Sequence, residues 1–542
     1  MKVLDFIILA LIVSIVTLQP HFMHGAINLW ETGQYLPQIN ELFHGKVPYR
    51  DMFIMRGPLE IFMPAFLMKM FGIHIGMLNA YFYFGTVLTL VIYAIFALRI
   101  FSTRGFVYLF SLVLIARTFT RVTFAIWGGM RFSFGILAVL LAVNFLKRKN
   151  PIWLVLAGMV SSLAFWTSFE IGVFCLISIL VMLCYVGYLE NDIKLIVNKA
   201  SLYIIGNLII TLPILLYLFF NNALIDYAST LRIVLFKMTD AFDSALVFET
   251  PTNLKEFLQA FSPWDHNFKY TLPFFFYAAI AIYLLRNIRR RRIELSELPI
   301  IPVLIYGIFL YKGAFRDIEG PQYRIALQPL LLIMFFYLER IYAVIRSAWQ
   351  ASGAVKRYLR IFLIAAIPLF CIVFSVHKYN KRFFIFKEIK SLVLNKHHLD
   401  IPYTHPEPKM ITIARGRGMI VPGVQAEEID GVVEYISSKT GYRQTLLTFP
   451  DLGAYNFLTD RPPMGRFHTA AFSFFCPEWF EEFMRELKNK KPEYIICARE
   501  FAILEQFRPT MGEYLDEVKD YLGKNYDVVM TYSSVNILKI RQ

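Results

Sequence analysis

Charge is scarce in this chain. Of its 542 residues only 18% are Asp, Glu, Lys or Arg, while 57% are hydrophobic. Soluble globular domains carry about 25% charged residues, so a soluble fold for the whole chain is excluded. Cysteine is scarce as well, at five residues. Cys175, Cys184 and Cys371 fall inside apolar runs, where cysteine acts as a small hydrophobe. Cys476 and Cys497 lie in more polar sequence, and a disulfide between them stays open because no framework pattern supports it. There is no CxxC, no HExxH, no GxxxxGK[ST] and no GxGxxG behind a strand, so nothing points to ATP-driven transport, dinucleotide binding or zinc proteolysis. Gly416-Arg417-Gly418 is too short to cradle a phosphate alone, and His397, His398 and His405 have no acidic partners at metal-ligand spacing. No internal repeat or low-complexity stretch occurs.

What the chain does have is a series of long apolar runs. A helix needs about 20 largely apolar residues to span a bilayer. Runs at 3–20, 78–98, 106–117, 132–146, 152–167, 171–189, 201–220, 271–285, 298–311, 325–345 and 359–376 predict about eleven spans, with 106–117 the weakest. Residues 1–20 resemble a signal peptide but are followed by no small-residue cleavage site, so they read as an uncleaved first helix. The net charge of +15 does not indicate nucleic acid. Sixteen basic residues, among them Lys147 to Lys149 and Arg289 to Arg292, fall in one set of short loops, against five (Arg121, Arg131, Lys312, Arg316 and Arg324) in the other. The positive-inside rule puts the first set and the N-terminus in the cytoplasm. The segments 21–77, 118–131, 168–170, 221–270, 312–324 and 377–542 are then outside.

After residue 400 the texture becomes mixed, with short alternating runs. Helices are predicted over 426–438, 477–489 and 512–522, and strands over 445–449, 494–498, 527–532 and 535–540. The expected fold class is a polytopic α-helical membrane protein with a small extracytoplasmic α/β domain. Its expected domains are a transmembrane domain over 1–376, with the external loop 21–77, and a domain over 377–542.

That first external loop is the most informative segment. Tyr35 to Phe43 and Pro58 to Phe71 read as interfacial helices. Glu31, Tyr35 and Gln38 are spaced to share one helix face, with Asp51 and Arg56 further along. A carboxylate at a membrane interface is costly unless it is paired or working. Taken singly, each such acid also fits a solvated loop position.

The run Glu31-Thr32-Gly33-Gln34-Tyr35-Leu36, then Gly45-Lys46-Val47-Pro48-Tyr49-Arg50-Asp51-Met52-Phe53, then Arg56-Gly57-Pro58-Leu59 resembles the first external loop of the GT-C glycosyltransferases. The similar members are the protein O-mannosyltransferases and the lipid A aminoarabinose transferases. Their loop typically reads Asp-Glu-Gly-x-Tyr, Gly-x-x-Pro-Tyr-x-Asp-x-Phe and Lys-Pro-Pro-Leu. Glu31 falls on the family's catalytic acid and Thr32 on its second acid; Arg56 replaces the lysine and Gly57 the first proline. The resemblance implies a polyprenyl-phosphate sugar donor, a lipid, glycan or protein acceptor outside the cytoplasm, and inverting transfer. It implies Glu31 as general base and Arg56 as a phosphate contact, since arginine binds phosphate through a broader fork than lysine. Asp51 would orient Arg50 or Arg56, or touch the sugar. In the loop Lys312 to Arg324, an Arg316-Asp317 pair before a late helix also occurs in similar proteins. Arg324 is a second phosphate candidate or an interfacial anchor.

Arg121 and Arg131 read as interfacial anchors, Glu170 as a loop acid, and Trp264-Asp265-His266 as an aromatic anchor that also suits acceptor cover. No cofactor is implied, and a divalent metal is left open. The expected function is an integral membrane glycosyltransferase with the bilayer, the lipid donor and the acceptor as partners. A lipid or polysaccharide transporter is the runner-up, although such proteins gather polar groups mid-membrane and show repeated halves. A scaffold that has kept the fold without catalysis is the third reading.

Overall fold

The computed structural model describes residues 2–17, 27, 29–118, 123–236, 268–290, 296–314, 321–350, 366, 407–501, 504 and 512–542. In chain order the helices are α1 (Lys2–Thr17), α2 (Leu29–Gly33), α3 (Leu36–Phe43), α4 (Leu59–Phe71), α5 (Ile75–Ile100), α6 (Arg104–Thr118), α7 (Thr123–Arg148), α8 (Ile152–Thr167), α9 (Phe169–Glu190) and α10 (Ile193–Phe220). They continue with α11 (Leu224–Phe236), α12 (Phe268–Arg289), α13 (Ile300–Ala314), α14 (Pro321–Ala326), α15 (Gln328–Gln350), α16 (Gly423–Lys439), α17 (Ala454–Thr459), α18 (Pro477–Lys490) and α19 (Gly512–Asn525). The strands are β1 (Pro408–Met410), β2 (Ile420–Pro422), β3 (Leu447–Phe449), β4 (Tyr494–Ala498), β5 (Tyr526–Thr531) and β6 (Val535–Ile540). Two compact units result. The first holds Met1–Gln19, Phe84–Thr211 and Leu246–His398; the second holds Pro20–Tyr83, Leu212–Ala245 and Leu399–Gln542.

The first unit is built of apolar helices. Across the described residues six helices are long and apolar enough to cross a membrane, and four shorter apolar ones accompany them. The chain is a polytopic helical membrane protein. Without a hydrophobic drive between helices in lipid, association relies on close packing of small residues and on polar contacts. Both occur where α8 meets α10. A Cβ on Gly158 would lie 2.1 Å from the Tyr203 carbonyl oxygen, and one on Gly206 the same distance from that of Val155. Nearby the Tyr203 hydroxyl donates to Ser161 Oγ at 2.7 Å, and Trp166 Nε1 donates to Thr211 Oγ1 at 3.1 Å. The expected weak span at 106–117 is covered by α6, and part of the expected loop 118–131 is helical from Thr123. The span expected at 359–376, apart from residue 366, and the domain boundary at 376/377 lie outside the described residues.

The second unit contains a four-stranded sheet in the order β3-β4-β6-β5, with β3 parallel to β4 and the other pairs antiparallel. The predicted strands at 494–498 and 535–540 stand at those residues, and β1 and β2 add a small antiparallel pair that the sequence reading did not anticipate. Helix α18 starts with Pro477 at its first position, where the missing N–H costs nothing. It buries Trp479, Phe480, Phe483, Met484 and Leu487, one apolar stripe at helical spacing. That stripe packs with Phe449, Phe474, Ile495 and Leu538 into an aromatic-rich core, and Phe53 from the loop joins it. Cys476 and Cys497 are separate buried thiols.

Candidate functional site

The loop motif folds onto the C-terminal segments within the second unit. The spacing predicted one helix carrying Glu31, Tyr35 and Gln38, but the chain breaks into α2 and α3 instead. Proline is the reason. In a continuous helix the N–H of residue 37 would bond the carbonyl of Gly33, and Pro37 has none. The Thr469 hydroxyl takes that carbonyl at 3.2 Å. Gly33 also lies against another backbone, since a Cβ there would stand 3.0 Å from Ala454 N. Further along, Arg443 pairs with Glu41 at 2.9 Å, while Asp460 takes Arg415 at 2.9 Å and Asn40 Nδ2 at 3.0 Å.

Residues 47–52 form a tight turn. Tyr49 N–H donates to the Met52 carbonyl at 2.9 Å, and Asp51 N–H to that of Val47 at 3.0 Å. Tyr49 carries a φ of 68°, uncommon for an aromatic residue. Its buried ring meets Tyr227 at 5.1 Å, and its hydroxyl donates to the Arg56 carbonyl at 2.8 Å. Burial pushes that phenol well above its ordinary range. Asp51 pairs with Arg50. The two make paired hydrogen bonds of 3.0 and 2.9 Å, and the carboxylate also accepts Val47 N–H at 2.8 Å. The bond from Arg50, more than the Val47 amide, holds the Asp51 carboxyl below its usual range. Arg50 donates as well to the Asn221 carbonyl at 2.8 Å. Phe53 then plugs the core, 4.9 Å from Trp479 and 5.3 Å from Phe472 between ring centres, with its N–H on the Arg466 carbonyl at 2.8 Å.

With the turn and plug fixed, Arg56 reaches a small cleft. Gln34, Tyr35, Gln38, Arg56 and Glu60 are its polar members and Phe472 is one of its apolar ones. Arg56 Nη1 hydrogen-bonds the Tyr35 hydroxyl and stands 3.4 Å from Glu60 Oε1. The Tyr35 hydroxyl is 3.5 Å from the same oxygen. Sequence analysis did not single out Glu60 within the predicted helix Pro58 to Phe71. The signal it passed over is the i,i+4 spacing from Arg56 across the Gly57-Pro58 turn, which brings the two together. Glu31 is 6% exposed, on α2, and is not among the residues lining this cleft. Two titratable groups flank the loop's attachment. Burial raises the Asp451 carboxyl to about 6 and lowers the His468 imidazole to about 4.

The remaining candidates are not among the residues that line this cleft. Arg324 lies on α14 and is half-buried, Arg131 is buried on α7 beside the Phe132 ring, and Lys312 and Glu170 are exposed at helix ends. Arg121, Arg316, Asp317, Glu319, Trp264 to His266, His397, His398 and His405 lie outside the described residues. Among the described residues no group of three or more His, Cys, Asp or Glu is gathered as for a metal.

Apolar helices, and a cation-bearing loop folded on a small α/β domain, define the class as a polytopic membrane protein. The solved structure of ArnT from Cupriavidus metallidurans bound to undecaprenyl phosphate matches with a TM-score of 0.50 at 14% identity, covering 99% of this chain and 97% of that one. Its apo structure matches at 0.49 with the same identity and coverage. At this identity the likeness is one of fold. No family model matches the chain, and no curated protein does.

Proposed function

We propose that this protein is a membrane glycosyltransferase that moves a sugar from a polyprenyl-phosphate donor to an acceptor hydroxyl outside the cytoplasm. The observation that carries the reading is Arg56, a guanidinium held on a cleft by its own loop, in a fold similar to one solved with undecaprenyl phosphate. The N-terminus is cytoplasmic and residues 377–542 form the extracytoplasmic domain, as the distribution of basic loops supports.

In this reading the acceptor oxygen loses its proton to Glu31 as it bonds the anomeric carbon. The bond from that carbon to the phosphate oxygen breaks, and the configuration inverts. The electron pair leaves with the polyprenyl phosphate, whose growing charge Arg56 stabilises. Glu31 is supported by its place in the loop motif and by its burial on α2, the helix that precedes Tyr35, whose hydroxyl bonds Arg56. Asp51 and Arg50 hold the turn that presents Arg56.

The test supplies full-length protein with radiolabelled polyprenyl-phosphate sugars and a crude acceptor fraction. The expected result is transfer that Glu31→Gln lowers about a hundredfold or more, as loss of a general base does, while donor binding persists. Undiminished transfer by Glu31→Gln refutes the base assignment. Lipid movement across vesicles without transfer from any donor supports a transporter instead.

A further inference from the structure

We propose that Glu60 is a built-in counter-anion, which holds Arg56 while the cleft is empty and which the donor phosphate has to displace. The inference rests on the donor reading above and adds how that donor is admitted and let go.

The geometry of the pair carries the argument. Glu60 is 1% exposed, yet its contacts are long, at 3.4 Å to Arg56 and 3.5 Å to Tyr35, and both fall on one oxygen. Its other oxygen is buried and has no hydrogen-bond partner among the described residues. A buried carboxylate with half its acceptor capacity unused is expensive. The same unit shows how its structural pairs are made. Arg466 and Glu482 share two bonds of 2.6 and 2.8 Å, and Asp51 engages both oxygens. The Arg56–Glu60 pair is therefore not built for stability. It lines the cleft, and it places a fixed negative charge where the donor phosphate would sit.

The charge balance gives the pair a function. A polyprenyl-phosphate sugar is a phosphodiester with one negative charge, so it replaces Glu60 on Arg56 one for one. The departing polyprenyl phosphate is a monoester with more charge. A carboxylate beside Arg56 then competes with it for the guanidinium and repels it, which favours release and a vacant site for the next donor. Removing the charge at residue 60 should tighten phosphate binding, whereas loss of a structural prop would weaken it.

Farnesyl phosphate, with farnesol and inorganic phosphate as controls, would be titrated calorimetrically into full-length protein in detergent. Glu60→Gln is expected to bind farnesyl phosphate on the order of tenfold tighter than wild type, the worth of one charged hydrogen bond no longer displaced. Farnesol should bind both proteins alike. Inorganic phosphate binding that matches farnesyl phosphate would replace a lipid phosphate with a free anion as ligand and overturn the inference as stated. Arg56→Gln should lose farnesyl phosphate binding, and adding Glu60→Gln to it should restore nothing. In turnover, Glu60→Gln should lower KM and kcat together and strengthen inhibition by product. Equal or weaker binding by folded Glu60→Gln, with Arg56→Gln still defective, overturns this inference and leaves the donor reading intact. No binding by wild type or either variant removes both. Should Glu60→Gln not fold, Glu60→Asp decides: its shorter acid recedes from Arg56, so it should bind tighter than wild type, and weaker or unchanged binding refutes the proposal.

Discussion

His468 and Asp451 should pull the acid stability of the second unit in opposite directions. His468 is 3% exposed, and its Nδ1 donates to the Arg466 carbonyl at 2.8 Å, so Nε2 would have to carry any added proton as a buried charge. Burial therefore lowers the imidazole from 6.5 to about 4, although the Arg466 carbonyl and the charge of Glu41 favour the proton. A depressed value means that the unfolded chain protonates first. The stability is complete above pH 6.5 and drains as pH falls towards 4, by about 3 kcal/mol in all. Burial raises Asp451 from 3.8 to about 6, so its contribution is complete below pH 3.8 and is lost as pH rises through 6. That shift is also worth about 3 kcal/mol. Between pH 4 and 6 the two slopes cancel. Single variants uncover them in thermal unfolding of the full-length protein. Relative to wild type at each pH, His468→Gln should gain about 3 kcal/mol between pH 6.5 and 4, and Asp451→Asn should lose about as much between 6 and 4. A gap between His468→Gln and wild type that stays constant over this range refutes the reasoning, as does a His468 imidazole that titrates near 6.5 by carbon-13 NMR.

Two further outcomes test how the loop is fastened. Phe53→Ala should cost about 3–4 kcal/mol, because it empties an aromatic site enclosed by Phe467, Phe472 and Trp479; the check is thermal unfolding together with protease sensitivity of residues 44–58. Gly33→Ala should cost about 1–3 kcal/mol, since the added methyl meets the backbone of Ala454 and Gly453 rather than a side chain that can move; a variant with unchanged melting behaviour would show that this contact is not made.

What the sequence made legible was whatever depends on local pattern. Short runs of strand-forming residues located the strands Tyr494–Ala498 and Val535–Ile540, and Pro477 with the stripe behind it located the start of α18. The loop motif was visible for the same reason. The break between Glu31 and Gln38 is also local, because Pro37 lacks the N–H that a continuous helix needs. Other features had little or no local signal. The contact of Gly33 with Ala454 joins positions more than 400 residues apart. Glu60 looks like any acid placed favourably in the first turn of a helix, apart from its i,i+4 spacing from Arg56.

The motif therefore divides its residues between fastening and chemistry. Phe53 and Tyr49 face the protein, one as a plug in the core and one as a donor to the Arg56 carbonyl. Arg56 is thus fixed at its backbone by Tyr49 and at its side chain by Tyr35, with Glu60 alongside. A long side chain held at both ends has already lost its rotamer freedom before a ligand arrives, which removes about 1.5–2 kcal/mol from the cost of binding. Tyr49→Phe keeps the ring and loses one buried bond. If backbone fixation is what prepares the site, that change should weaken farnesyl phosphate binding without moving Phe53 from its core, and a change at the exposed Lys46 should not.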